Sequence, residues 1–461
     1  MTSENFDLTP SICRQARLAR DRRFDGLFFI AVRSTGIYCR PICPAKLPQE
    51  KNVTYFHSSA AAANAGFRPC LRCRPDSAPG SPQWRGSESL FERALERIYQ
   101  GDLSEMTMAE FSKQLGISER YLRTLFNTHI GTSAQQFIQH HRCLLAKQLL
   151  HETGLPVQEI AIASGFNSVR RFNDAFKKQL QMTPSDVRRT KLASAKQLTL
   201  SLAYRPPFDF NAMLNFLKRR QVNGIEWFDD DGYHRSFQFK QLKGSFCVGA
   251  AAQPNKLLLT LKLDQIGDIW PLVFHLRQRF DLDASSNIIE KRLSHGLTTE
   301  QIHSGLRIPL MWSLFEGGVR AICGQQVSVT AAHNLVADLV QHLGEPSGEH
   351  FFFPSAKAVL QADLSFLKMP QARQTTLREF ARWYIEANSH TVDDLLSIKG
   401  IGPWTVNYLK FRYLGEPDIE LSSDLGVKHA INKLALSNPY DRVKPFRSYL
   451  TMQLWQHLSK E

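Results

Sequence analysis

The sequence has 461 residues, of which 43% are hydrophobic, and a formal net charge of +14 at pH 7. This length is too great for a single hydrophobic core and predicts about two to four domains. No stretch approaches the roughly 20 consecutive apolar residues that cross a bilayer, so we expect no membrane partner. Basic residues are in excess in each part of the chain, which favours a polyanionic partner, although many globular proteins without one are mildly basic.

Three blocks follow one another along the chain. The first ends in the Pro-, Gly- and Ser-rich segment Ser77–Ser87, a predicted linker. The second, about Glu88–Thr190, has apolar residues at helical spacing throughout. The third begins near Lys196 with short segments of alternating apolar residues. From about Ile269 its pattern is helical, which predicts an α+β arrangement.

The second block contains two predicted helix-turn-helix units, each with a glycine in its turn and a short polar residue that can cap the next helix. Their predicted helices are Met108–Leu115 with Glu119–Asn127, and Val157–Ala163 with Ser168–Leu180. The strands predicted in the third block are Gln197–Tyr204, Tyr233–Leu242, Ser245–Ala250 and Lys256–Leu263.

Four of the eight cysteines form two close pairs, Cys39-x3-Cys43 and Cys70-x2-Cys73. The first residues, Met1–Asp7, do not resemble a signal peptide, so we expect a reducing cytoplasm, where paired cysteines favour metals over disulfides. The spacing predicts one zinc ion bound by four thiolates, whose net charge of about −2 leaves a sulfur nucleophilic. Four ordinary buried thiols and a purely structural zinc site are the alternatives.

The segments Phe24–Gly26, Ala31–Cys43 and Ala65–Cys73 closely resemble the N-terminal domain of the Ada adaptive-response family, over about residues 8–77. The resemblance implies that the four cysteines bind zinc and that Cys39 irreversibly accepts a methyl group from a DNA methylphosphotriester. The spacing alone does not choose Cys39 among the four. The resemblance also suggests four basic phosphate contacts: Arg33, Arg40, Arg68 and Arg72.

The cysteines outside the two pairs bear on whether a second methyltransferase activity is present. The Ada family often carries a second methyltransferase domain, for O6-methylguanine, with a Pro-Cys-His-Arg nucleophile motif. Cys143, Cys247 and Cys323 all lie outside such a motif. We therefore expect no O6-methylguanine methyltransferase activity.

The second helix of a helix-turn-helix enters the major groove, where its exposed polar residues read base edges. In the first unit the candidates are Ser118, Glu119, Arg120 and Arg123; in the second they are Ser168, Arg170, Arg171 and Asn173, with Lys177 on a phosphate. A plain helical bundle, with these residues on its solvated face, is the alternative.

The segment Ile160–Ser168, followed by Phe172, Phe176 and Thr183-Pro184, resembles the second half of an AraC-type DNA-binding domain. The sequence departs from that family at Val169–Phe172, which bears on the DNA sequence that is read. The resemblance implies promoter binding, activated by methylation of Cys39, and RNA polymerase as a partner.

The segment Leu396–Thr405 contains Gly400 and Gly402, which predict a tight turn between two helices. Backbone N–H groups at such glycines can approach a DNA phosphate closely, and Ile398 belongs to the same predicted phosphate-binding hairpin. A simple turn is the alternative. Asp424 follows in the chain, and a carboxylate near a DNA-binding hairpin can stabilise an oxocarbenium-like sugar as a base departs.

This pattern resembles the helix-hairpin-helix glycosylase superfamily, and more closely the AlkA type of 3-methyladenine DNA glycosylase II. The match runs from Leu198 to Trp455 and includes Tyr204–Asp209, Gly318–Val329 and Pro445–Tyr449. The resemblance makes Asp424 the catalytic carboxylate, places Gln326 where relatives have a leucine wedge, and places three residues in the base pocket: Trp404, Tyr408 and Trp455.

The aromatic residues also have a physical rationale. A base such as 3-methyladenine carries a positive charge, which an aromatic box attracts by ~1–2 kcal/mol once the base has left the stack. Core packing is the alternative for each aromatic residue taken singly.

Trp404 stands where relatives with lyase activity have a lysine, so we expect a monofunctional glycosylase. No cysteine follows Cys323, so we expect no iron–sulfur cluster.

We therefore predict a multidomain α+β protein of the bacterial cytoplasm or nucleoid, monomeric, that acts on alkylated and promoter double-stranded DNA. It would combine a small zinc-bound α/β methyl-acceptor domain, an all-α double helix-turn-helix domain, an antiparallel sheet subdomain and a helical helix-hairpin-helix glycosylase core: residues 1–80, 88–190, 196–280 and 281–461. A regulator whose glycosylase-like domain only binds DNA, and a zinc-stabilised structural DNA-binding protein, are the competing hypotheses.

Overall fold

The computed structural model describes residues 8–21, 24–77, 87–188, 198–386 and 391–458. Most of the predicted linker and the N-terminal residues 1–7 lie outside these ranges, as does Gln197. The chain divides into two compact units, residues 1–138 and 139–461. Among the described residues, no helix has the length and apolar character needed to cross a membrane.

The first unit begins with a small sheet covered on both faces. Its strands occur in the order β3-β1-β2-β4, with β2 and β4 parallel and the other pairs antiparallel. All four residues of β1 are buried, because Ile30 and Val32 pack with helix α1 while Phe29 and Ala31 pack with helix α2. The elements are α1 Pro10–Ala19, β1 Phe29–Val32, β2 Ile37–Cys39, β3 Val53–Phe56, α2 Ser59–Asn64 and β4 Arg68–Pro69.

Helices follow from residue 87, as predicted. Thr107 and Ser118 cap the two helices of the first helix-turn-helix unit, and Gly116 in the turn between them has φ +73°. Phe91 packs edge-on against Phe126, with ring centroids 5.2 Å apart. The helices are α3 Ser87–Tyr99, α4 Met108–Gln114, α5 Glu119–Ile130 and α6 Ala134–Glu152.

The second unit begins within α6, at residue 139, and contains the second helix-turn-helix. Ser168 is the N-cap of its second helix and not its first helical residue. The helix therefore starts one residue later than predicted, at Val169. Phe172 and Phe176 on the inner face of this helix are fully buried. The helices are α7 Val157–Ala163, α8 Val169–Leu180 and α9 Pro184–Val187.

A five-stranded antiparallel sheet follows, in the order β5-β9-β8-β7-β6. Leu242 was predicted in the same strand as Tyr233, but it begins the next strand and pairs with Phe239 across a two-residue hairpin. The prediction failed because Lys240 takes φ +53° there without a glycine to mark the turn. Strand β6 was not predicted. The elements are β5 Leu198–Ala203, α10 Phe210–Lys218, β6 Glu226–Asp229, β7 Gly232–Phe239, β8 Leu242–Ala250 and β9 Lys256–Leu263.

The rest of the second unit is helical, as predicted, except for a short hairpin formed by β10 Pro346–Ser347 and β11 His350–Phe351. One core surrounds α13, where Gly318 lies so close to the ring of Phe380 that a Cβ would collide with it. A second core surrounds α20. The helices are α11 Trp270–Arg279, α12 Ser286–Leu293, α13 Leu314–Cys323, α14 Val329–Leu343, α15 Ala356–Gln361, α16 Gln371–Glu386, α17 Pro403–Leu409, α18 Leu425–Lys433, α19 Pro439–Arg442 and α20 Arg447–Leu458.

A buried ionic network joins the sheet to α13. The Glu226 carboxylate accepts hydrogen bonds of 2.9 Å from both Arg235 and Arg320, and Arg235 also pairs with Glu316. Burial alone would raise the pKa of Glu226, but Arg320 and Arg235 outweigh burial and hold that pKa below its ordinary value. Glu226 is therefore ionised, and together with Glu316, which also pairs with Arg320, it compensates the two buried guanidinium groups.

Replacing Glu226 by alanine should destabilise the second unit by about 3–5 kcal/mol, because two buried guanidinium groups must then share the single charge of Glu316. The matched control is Glu345→Ala, which breaks an exposed pair with Lys243 on the same sheet and should cost under about 1 kcal/mol. Urea unfolding of the full chain measures both. Equal losses in the two variants would contradict this account of the network.

Candidate functional sites

The four paired cysteines meet at one end of the small sheet. Their sulfur atoms all lie within 4.8 Å of one another, and Cys43 Sγ and Cys70 Sγ are 4.0 Å apart. Thiolates bound tetrahedrally to zinc at about 2.3 Å lie close to this distance from one another. Cys43, Cys70 and Cys73 are buried, whereas Cys39 is partly exposed. The sulfurs therefore fit a zinc ion, and Cys39 is the sulfur best placed to meet another molecule.

The crowding of the sulfurs bears on what they can bind. The hydrogen bond with Cys43 raises the pKa of Cys39, and the same bond, together with one from Cys73, lowers the pKa of Cys43. Four thiolates this close together repel one another, so they need a shared cation to be deprotonated at once. The donor set is soft, which suits zinc.

The basic residues around the cysteine cluster differ in exposure. Arg33, Arg68 and Arg72 are exposed, so they remain predicted phosphate contacts. Arg40 is 3% exposed, and its guanidinium pairs with Asp25 and donates to the Cys73 carbonyl oxygen at 3.2 Å. This burial argues against the predicted phosphate contact of Arg40, which instead holds the Cys73 backbone in place.

The predicted base-reading side chains lie on the exposed faces of the two second helices. All of them are exposed, whereas the opposite face of each helix is buried through Leu122, Leu125 and Phe126 in one and Phe172, Ala175 and Phe176 in the other. Ser118 and Ser168 also serve as helix caps, through hydrogen bonds from Tyr121 N and Arg171 N. The exposed set comprises Ser118, Glu119, Arg120, Arg123, Ser168, Arg170, Arg171, Asn173 and Lys177.

Asp424 caps α18 and is partly exposed. Its Oδ1 accepts a hydrogen bond from Val427 N at 3.0 Å and another from Trp455 Nε1 at 3.1 Å. The two donors fix the orientation of the carboxylate, and Oδ2 makes neither of these bonds. This arrangement suits a carboxylate that stabilises positive charge in a bound molecule.

The predicted pocket aromatics lie together beside Asp424. Trp404 and Tyr408 stack with ring centroids 5.0 Å apart, and Tyr408 lies 6.5 Å from Trp455. All three are partly exposed, unlike the fully buried Phe411, which contacts Trp455 from the core side. The structure therefore brings two segments that are distant in sequence, the helix of Trp404 and Tyr408 and the helix of Trp455, to one carboxylate.

Two further residues of this site were missed in the sequence analysis. Phe216 stacks on Trp455 with centroids 6.3 Å apart, and the Arg220 guanidinium lies 3.8 Å from the Phe216 centroid and 5.6 Å from that of Trp455. Burial lowers the pKa of Arg220 to about 10, repulsion from Arg412 adds to the effect, and Asp424 opposes it. The i, i+4 spacing of Phe216 and Arg220 was the available signal, but nothing local connects it to Asp424.

The predicted hairpin lies between a short 3-10 segment, Val392–Ser397, and α17. Gly400 has φ +95°, and a Cβ there would collide with the Thr376 hydroxyl, so no other residue fits. Gly402 caps α17. The side chain of Ile398 is buried and its N–H donates to the Leu395 carbonyl, which argues against a direct phosphate contact by that residue.

Gln326, the predicted wedge, is exposed and has φ +56°. Its neighbour Gln325 donates from Nε2 to the Gly400 carbonyl oxygen at 2.9 Å, which ties this loop to the hairpin. The loop is thus held in a strained conformation that presents Gln326 outward. Its role as a wedge remains a prediction.

Comparison with known proteins covers each part of the chain. Residues 12–76 match the family model described as the metal binding domain of Ada, residues 111–190 a helix-turn-helix domain, and residues 199–313 the AlkA N-terminal domain. The chain is 29% identical to DNA-3-methyladenine glycosylase 2 of Escherichia coli, over 55% of this chain and 96% of that protein. It is 31% identical to the bifunctional transcriptional activator/DNA repair enzyme AdaA of Bacillus subtilis, over 38% of this chain and 80% of that protein.

A relative of nearly full length decides the family. A probable bifunctional transcriptional activator/DNA repair enzyme AlkA of Mycobacterium tuberculosis is 32% identical over 97% of this chain and 96% of its own length. The chain belongs to this AlkA family of bifunctional activator and repair proteins. The predicted resemblances to Ada, AraC-type and AlkA domains are confirmed, and so is the predicted multidomain fold class.

The match to the metal binding domain of Ada and the cluster of four sulfurs predict the metal content of the protein. Purified full-length protein should hold one zinc ion, and Cys70→Ser should lose it, because a three-thiolate set with one hydroxyl binds zinc poorly. Cys247→Ser, which changes a cysteine on the second unit's sheet, is the control and should keep the zinc. Elemental analysis measures both. Full zinc content in Cys70→Ser would contradict the four-cysteine site.

Proposed function

We propose that this protein is a DNA alkylation-repair enzyme and regulator: a monofunctional glycosylase that releases alkylated bases such as 3-methyladenine, fused to a methyl acceptor and a transcription-activating domain. The observation that carries the glycosylase function is the Asp424 carboxylate, oriented by Trp455 and Val427 beside a cluster of partly exposed aromatic rings. The likeness of the chain to repair enzymes and DNA glycosylases supports it.

The aromatic cluster selects the substrate. A flipped base with a delocalised positive charge stacks favourably on Trp404 and Tyr408, whose faces are electron-rich. Gln326 fills the space that the base leaves in the duplex, with a polar side chain where relatives have leucine. Gly400 and Gly402 bring the hairpin backbone close to a phosphate beside the lesion.

Asp424 acts on the sugar. As the N-glycosidic bond breaks, its electron pair goes to the cationic base, which leaves neutral, and positive charge develops on the sugar. The carboxylate stabilises that charge, and water then bonds to the anomeric carbon and loses a proton, leaving an abasic site. Trp404, at the position of the lyase lysine, provides no amine for strand cleavage.

The N-terminal cysteine cluster takes a methyl group. The Cys39 sulfur attacks the methyl carbon of a methylphosphotriester, a sulfur–carbon bond forms, and the carbon–oxygen bond breaks to leave the phosphodiester anion. Zinc held by Cys39, Cys43, Cys70 and Cys73 would keep these sulfurs as thiolates. Because methylation removes one negative charge facing DNA, it favours promoter binding by Arg120, Arg123, Arg170, Arg171, Asn173 and Lys177, and RNA polymerase would be recruited from there.

Asp424→Asn should reduce base release from methylated duplex DNA by at least about a hundredfold, since asparagine still caps α18 but cannot balance the sugar's charge. Glu420→Gln, a carboxylate-to-amide change in the same loop, should retain activity. Chromatography of released 3-methyladenine and 7-methylguanine measures both. Binding of the DNA without release by the unmodified protein would instead support a regulator whose glycosylase-like domain only binds DNA.

Full-length protein incubated with DNA carrying methylphosphotriesters should gain the mass of one methyl group on Cys39. Mass spectrometry of peptides locates it, and Cys247→Ser should gain the same modification because that cysteine lies outside the cluster. A zinc-loaded protein that is never methylated would support a purely structural zinc site.

Methylated protein should bind its promoter DNA more tightly than unmethylated protein at matched salt, with the gap narrowing as salt rises. Fluorescence anisotropy with the two forms measures the effect. Equal affinities at low salt would contradict the charge-based switch.

A further inference from the structure

Helix α6, which leads into the second helix-turn-helix, contacts the glycosylase sheet through hydrogen bonds to an edge strand. Strand β5 ends the five-stranded sheet, so one side of its backbone has no neighbouring strand in that sheet. Glu152 Oε2 accepts from Ser201 N at 2.7 Å, and Gln148 Nε2 donates to Ser201 O at 2.7 Å. Gln148 Nε2 also lies 2.9 Å from Glu152 Oε2. Two side chains of α6 thus replace the backbone partner that an edge strand lacks.

A second set of contacts lies at the start of α11. Arg142 of α6 pairs with Asp268 at 3.2 Å, with side chains 20% and 16% exposed. Ile269 N donates to the carbonyl oxygen of Ala163, the last residue of α7, at 3.0 Å. The contact therefore includes a backbone hydrogen bond between the helix-turn-helix and the residue that precedes α11.

The turn of the helix-turn-helix fits closely against this contact. Gly165 has φ +78°, and a Cβ there would lie 2.5 Å from Asp268 Oδ2 and 2.7 Å from Arg142 Nε. His141 and Trp270 lie beside it with ring centroids 6.0 Å apart. The glycine in the turn is thus required both by its backbone conformation and by the approach of the ion pair.

We propose that the second helix-turn-helix and the part of α6 that leads into it, from residue 139, are docked on the glycosylase as one rigid body through an interface defined by Arg142, Gln148, Glu152, Ala163, Ser201, Asp268 and Ile269. The recognition helix α8 then meets DNA in a fixed geometry relative to Asp424, and the two cannot bind DNA independently. Charge-assisted hydrogen bonds and a partly buried ion pair in two separate patches hold the bodies more firmly than one exposed pair could.

The test uses the full chain with spin labels introduced as unnatural amino acids at Lys178 and Lys291, both exposed, which leaves every cysteine in place. Pulsed dipolar spectroscopy should give one narrow distance distribution. Asp268→Arg places two guanidinium groups together and should broaden the distance distribution. Combining Arg142→Asp with Asp268→Arg restores an ion pair of reversed polarity and should narrow the distribution again. The control, Asp264→Arg, changes an exposed carboxylate of the same loop and should leave it narrow.

A second measurement covers the case in which Asp268→Arg fails to fold. Glu152→Ala removes the acceptor of the Ser201 N–H, so hydrogen exchange in peptides from β5 should speed up severalfold while peptides from β8 are unchanged. A broad distance distribution in the unmodified chain would overturn the proposal. So would unchanged exchange in β5 together with an unchanged distribution in a folded Asp268→Arg variant.

Discussion

The glycosylase site depends on the orientation of one carboxylate. Asp424 Oδ1 receives an N–H from the backbone of its own helix and an indole N–H from α20, so one oxygen is fixed by two donors from different elements. Trp455 can donate only because α20 packs in the core that also holds Val427. Loss of that packing would release the carboxylate and the ring of Trp455 together. The hydrogen bond between Trp455 and Asp424 therefore depends on the same core that stabilises the fold.

Charge is distributed differently in the core and at the sites. Glu226 and Glu316 together compensate the buried Arg235 and Arg320, and this network serves stability. Asp424 has Arg220 nearby, but that guanidinium lies over the rings of Phe216 and Trp455. The carboxylate therefore retains room for a cationic ligand, whereas a direct ion pair would have occupied it.

The sequence predicted what local pattern determines. The cysteine pairs, the cap Ser118 and the glycine hairpin depend on short spacings, whereas the role of Asp424 was implied by the family resemblance and Ser168 was placed inside the helix that it caps. What it missed depends on tertiary packing: Phe216 and Arg220 reach the site only through the fold, and the burial of Arg40 depends on Asp25. The turn at Lys240 lacked a glycine, asparagine or aspartate that would have marked it, whereas strand β6 was missed although Asn223-Gly224 precedes it and Asp231-Gly232 follows it.

The central claim is that Asp424 stabilises positive charge on the sugar, and affinity for a charged sugar analogue tests it most directly. We would compare binding of full-length protein to duplexes that carry either a cationic pyrrolidine or a neutral tetrahydrofuran at the abasic position. The account predicts a preference for the cation of at least about tenfold, or ~1.4 kcal/mol, that Asp424→Asn abolishes. An equal preference for the cation in both proteins would contradict it.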